Sequence, residues 1–101
     1  MRPHESPEMT LRVAGSTDTQ LLATSLVKNE EEGKRVVLQC IGVAPISQAL
    51  KAVALANGQV APNGFVFTAT PTFATVRFPD RDTQELVERV AIRLFISRKS
   101  L

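Results

Sequence analysis

Apolar and polar residues recur with two different periods along this chain. Residues 11–14 make a short strand candidate. Leu22, Ala23, Leu26 and Val27 then fall on one face of a helix predicted over residues 18–32. Thr17, with Gln20 three residues on, has the pattern of a capping box, which satisfies two otherwise unpaired backbone donors. Gly33 is placed to end the helix in a left-handed conformation. Val36, Val37, Leu38, Cys40 and Ile41 form a nearly unbroken apolar run, expected as a buried central strand over residues 35–41.

A tight turn over residues 42–44 leads to Pro45, which suits the first turn of a second helix because its missing N–H costs little there. Ile46, Ala49, Leu50, Val53 and Ala54 follow at helical spacing and define its expected apolar face. Asn57-Gly58 is a strong stop signal. A turn over residues 59–64 precedes a third strand, in which Phe65, Phe67 and Ala69 alternate with polar residues. Past Phe73 the apolar phase shifts to Val76 and Phe78, which predicts a bulge near Ala74. Pro71 argues for an edge position. A polar tip over residues 79–84 leads to a last strand, residues 86–97. There Val90, Ile92, Leu94 and Ile96 face one way, and Arg89, Ala91, Arg93 and Phe95 the other.

The order β-α-β-α-β-β predicts an α+β domain of two layers, with both helices on one face of a four-stranded mixed sheet. One domain is expected over residues 10–99, after a mobile tail at residues 1–9. Residues 52–76 carry no charge, yet Gly58, Pro62, Asn63, Gly64 and Pro71 interrupt them, so no membrane span is expected. The first residues have no apolar core resembling a signal peptide, and a cytoplasmic location is expected.

Composition sharpens this. The 101 residues are 44% hydrophobic and 22% charged, an ordinary globular balance. One Cys excludes a disulfide framework, and a single His, set in a polar proline-containing tail, argues against a zinc site of His and Cys and leaves no ordered base for catalytic pairs of histidine with cysteine or serine. Cys40 reads as a small core residue. The net charge is +2, unevenly spread: residues 1–34 hold four Lys/Arg against six Asp/Glu, and residues 35–101 hold eight against four. A basic C-terminal two-thirds permits a polyanionic partner.

Three segments carry a family resemblance: Ile41-Gly42, Gln48-Ala49-Leu50-Lys51-Ala52 and Ala61-Pro62-Asn63-Gly64. They resemble the signature of the stage V sporulation protein S family, and the likeness extends over residues 11–96. The resemblance implies an Alba-like fold, a small dimer that binds DNA or RNA, and a role in regulating sporulation or septation. It also implies that phosphates are approached by Gly15 and Ser16, by residues 42–51, and by Arg77, Arg81 and Arg89 on the last hairpin. Family members commonly carry a Lys where this chain has Gly15-Ser16, and an Asn where it has Ser47. The hairpin tip here is longer than usual.

The candidate nucleic-acid-binding residues are therefore Gly42, Ser47, Gln48, Lys51, Arg77, Arg81, Arg89 and Arg93. Gly42 would allow close backbone approach, Ser47 and Gln48 would hydrogen-bond, and the cations would neutralise phosphates. Against this stands the reading of Lys51 as part of a solvated helix face. Likewise, the hairpin arginines could pair with Asp80, Asp82, Glu85 and Glu88. Phe95, on the arginine side of its strand, suits a dimer contact better than a base platform. No enzymatic role, catalytic residue, cofactor or metal is expected. Ser47 and Lys51 are four apart rather than three, and Asp80 and Asp82 sit on an exposed tip. A regulatory protein-interaction module without nucleic acid is the alternative.

Overall fold

The computed structural model describes residues 7–101. Its elements are β1 (Glu8–Val13), α1 (Thr19–Glu31), β2 (Arg35–Cys40), α2 (Val43–Val60), a 3-10 turn (Ala61–Asn63), β3 (Phe65–Pro79) and β4 (Leu86–Ser100). The sheet order is β1-β2-β4-β3; β1 runs parallel to β2, and the other pairings are antiparallel. Side chains of alternate strand residues point to opposite faces. Val36, Leu38 and Cys40 of β2 join Leu94 and Ile96 of β4 in one core with Leu22 and Leu26 of α1 and Ala52 and Ala56 of α2. The two helices thus cover one face, and the other face of the sheet is bare. Of the tail expected at residues 1–9, Glu8 and Met9 belong to β1, and residues 1–6 lie outside the described residues.

The expected start of α1 is corrected by one residue. Asp18 is the N-cap, and its Oδ1 accepts from the N–H groups of Gln20 (2.9 Å) and Leu21 (3.0 Å). The Thr17 hydroxyl is spent on the preceding turn, where its Oγ1 accepts from the Ala14 N–H at 2.7 Å. Gly33 follows the helix with φ 79°, as its position predicts.

Helix α2 also departs from expectation: it runs through Asn57-Gly58 to Val60, and the 3-10 turn that follows it ends at Gly64, φ 90°. The Asn57 side chain serves the sheet instead. Its Oδ1 accepts from the Phe67 N–H (2.7 Å) and its Nδ2 donates to the Phe67 carbonyl (3.2 Å). On α2, Ala49, Ala52, Val53, Ala56 and Val60 are buried, whereas Leu50 and Ala54 of the expected apolar face are exposed. The small side chains lie against α1 and the sheet, which leaves the bulkier stripe outside.

No bulge interrupts β3. Its 15 residues pair with the 15 of β4 in unbroken register, from Phe65–Ser100 to Pro79–Leu86. Phe67 turns its backbone groups outward to Asn57, so Pro71, four residues on, also directs its missing donor to the free edge. β2 pairs with β4 only across Ile92–Phe95. Leu86–Ala91 and their β3 partners therefore project beyond the body as a two-stranded arm. The molecule measures 50 × 29 × 19 Å.

Candidate nucleic-acid interface

The register locates the site. β2 ends at Cys40 opposite Ile92, and β4 upstream of Ile92 is the arm. The arm thus leaves the body at the end where β2 gives way to α2. The β1–α1 loop is at the same end, because β1 is parallel to β2 and Val13 pairs with Cys40. Gly15, Gly42, the first turns of α2 and the arm therefore share one end of the molecule.

The loops there are fixed tightly. A Cβ on Gly15 would lie 3.0 Å from the Ala44 Cβ, so the β1–α1 loop touches the start of α2. Gly42 is the N-cap of α2 with φ 98°, a conformation that favours glycine. The Gln48 Nε2 donates to the Thr17 carbonyl (2.8 Å), which ties α2 to the same loop. Gln48 is thereby committed inward with its donor. Ser47 and Lys51 are four residues apart, about one helical turn, with Lys51 exposed and Ser47 at the exposed margin of the helix.

The arginines divide. Arg93 lies on the bare face, where its Nη2 donates to the Glu8 Oε2 (2.9 Å) and to the Thr10 Oγ1 (3.1 Å). Its guanidinium lies 5.3 Å from the centre of the Phe95 ring. Its Nε is buried with no hydrogen-bond partner among the described residues. The hydrogen bond from Arg93 holds the Glu8 carboxyl below its ordinary range. Arg93 thus ties β4 to the edge strand β1, and it covers Phe95. Arg77 projects from the opposite side of the arm and pairs with Glu88 at 2.8 Å, with both side chains more than half exposed. Arg81, in the turn, and Arg89, on the bare side of the arm, are exposed and form no ion pair among the described residues. Asp80 holds the turn, its Oδ1 accepting from the N–H groups of Asp82 (2.8 Å) and Thr83 (3.2 Å), which lowers its carboxyl.

The candidate residues therefore do not make one face. Gly42, Ser47, Arg77, Arg81 and Arg89 gather at the arm-bearing end, while Lys51 lies further along α2 and Arg93 is engaged within the sheet. Two contributors escaped the sequence reading. Arg12 shares the bare face and forms no ion pair among the described residues. The alternation of Leu11 and Val13 inward was the signal for it. Gln39, its partner on β2, lies beside Arg93, and its amide donates no hydrogen bond among the described residues.

A second feature of this end is apolar. Phe73, at the base of the arm, is 80% exposed and Val90, on the arm's helix-side face, 66%; Val43 is 84% and Leu50 52% exposed. Val43, Leu50 and Asn57 form one stripe of α2. Asn57 sits on β3, so this stripe follows the β3 edge toward Phe73. Among the described residues, no cluster of three or more His, Cys, Asp or Glu could hold a metal ion, and no helix is long and apolar enough to cross a membrane.

This two-layer β-α-β-α-β-β architecture with a projecting hairpin defines an Alba-like fold. Alba from Thermoplasma volcanium matches with a TM-score of 0.62 at 13% sequence identity, over 89% of this chain and 100% of that one. The likeness to that structure is one of fold. The family model for stage V sporulation protein S matches residues 9–99, and the chain belongs to that family.

Proposed function

We propose that this is a small cytoplasmic regulator that binds DNA or RNA as a homodimer, through contacts mainly to the phosphate backbone, without catalysing a reaction. The observation that carries the reading is that Arg81 and Arg89, exposed and without an ion pair among the described residues, stand on an arm that leaves the fold at the same end as the glycine-bearing loops and the start of α2. Arg81 and Arg89 extend from that end on an arm, Arg12 flanks its base, and Ser47 and Lys51 offer a hydroxyl and an ammonium on α2. Such groups recognise phosphate and give little base specificity. The exposed Phe73–Val90 surface supports the dimer: an apolar patch of this kind can meet its own copy about a twofold axis. The same patch favours the second reading, a module that docks another protein.

Fluorescence polarisation with duplex and single-stranded oligonucleotides at two salt concentrations separates the two. Salt-sensitive binding, weakened by Arg81→Ala and Lys51→Ala, supports nucleic-acid recognition. No binding at low salt leaves the protein-interaction module. Sizing of the wild type against Phe73→Ala tests the dimer.

A further inference from the structure

The shift of apolar phase along β3 has a spatial consequence. Phe65, Phe67, Ala69 and Phe73 lie on the helix side of the sheet, whereas Val76 and Phe78 lie on the bare side with Gln39 and Arg12. Where the arm leaves the body, Arg12, Gln39, Ile41, Val76, Arg77 and Phe78 line a recess of about 200 Å³. Ile41 and Phe78, its bulky apolar walls, are 38% and 39% exposed. Gln39 adds an amide that donates no hydrogen bond within the described residues. Arg12 adds a guanidinium that forms no ion pair among the described residues, and Arg89 is the cross-strand partner of Val76.

We propose that this recess holds one unstacked base of a single-stranded nucleic acid. The inference rests on the nucleic-acid reading above and adds a strand preference to it. The volume is below the roughly 300–1,000 Å³ of sites that enclose a drug-sized ligand. It suits one flat group of a longer chain. Phe78 supplies a ring face on which any base can stack, Gln39 supplies a donor and an acceptor for a base edge, and Arg12 and Arg89 flank the strand's phosphates. A paired base in a duplex is stacked on both sides and cannot enter, so single strands gain a contact that duplexes lack.

The test uses the full chain with three labelled probes of equal length: a single strand, its abasic counterpart and the duplex, with the single strand made as DNA and as RNA. Phe78→Trp creates the sole tryptophan, since the chain has none. Its fluorescence is expected to be quenched by the single strand and unchanged by the abasic probe. Phe78→Leu keeps the apolar bulk but removes the ring; it is expected to weaken single-strand binding about tenfold and duplex binding less than about twofold. Stronger binding of one sugar type identifies the strand. Equal binding of single-stranded and abasic probes, or equal weakening on all probes in Phe78→Leu, overturns the recess while leaving backbone binding intact. No binding of any probe at low salt overturns both.

Discussion

The body and the arm are built from the same sheet but on opposite terms. In the body, Leu26 and Leu38 have no exposed surface, and α1 is closed by Asp18 at its start and Gly33 just past its end. In the arm, β3 and β4 pair only with each other, and Leu86 and Val90 stand more than 60% exposed beside arginines. An isolated two-stranded ribbon is marginal in water. The arm is held because its strands continue into the body, where β4 lies between β2 and β3. The body therefore carries the folding information, and the arm is free to carry surface chemistry.

The sharpest challenge to this contrast is a pair of truncations. Leu38→Ala is expected to cost about 2–5 kcal/mol in urea unfolding, because it leaves a cavity in a packed core. Val90→Ala, on the arm, is expected to stay within about 0.5 kcal/mol for the monomer. Equal destabilisation would erase the distinction. Next comes the join between α2 and the edge strand. Asn57→Ala removes both hydrogen bonds to Phe67 and is expected to cost about 1–3 kcal/mol, with faster amide exchange at Phe67 seen by NMR.

A pH titration addresses the bare face. The folded-state pKa of Glu8 lies below its ordinary value because of the Arg93 hydrogen bond. Its contribution to stability is therefore present above the ordinary carboxylate range and is lost as pH falls through the lowered folded value. Glu8→Gln is expected to remove that part of the acid-side decline in thermal melts. The smallest effect belongs to the arm's own ion pair: Arg77→Ala is expected to change stability by less than about 1 kcal/mol, because both partners are solvated.

Periodicity made the six elements and their order legible, since each helix and strand buries a stripe with its own spacing. It could not tell a change of buried face from an inserted residue, so the Phe73-to-Val76 phase shift suggested a bulge where the register is continuous. Local signals also misled where a side chain had a distant use. Asn57-Gly58 has the form of a helix stop, but Asn57 is taken up by a strand ten residues away. Thr17 and Asp18 are adjacent capping residues, and only the turn to Ala14 decides between them. Lys51, Arg81 and Arg89 are exposed, which a residue-by-residue reading of charge can anticipate, but not where each stands relative to the others. The engagement of Arg93 with Glu8, 85 residues apart, depends on β1 and β4 flanking β2. No spacing along the chain encodes that.

The most direct test is the salt dependence of duplex binding by the wild type and by the Arg81→Ala, Arg89→Ala double variant. The log of affinity against the log of salt concentration is expected to fall for the wild type. Its slope should become shallower by about 0.9 for each phosphate that the variant no longer neutralises. Binding that ignores salt, or an unchanged slope in the variant, would contradict a phosphate-binding arm.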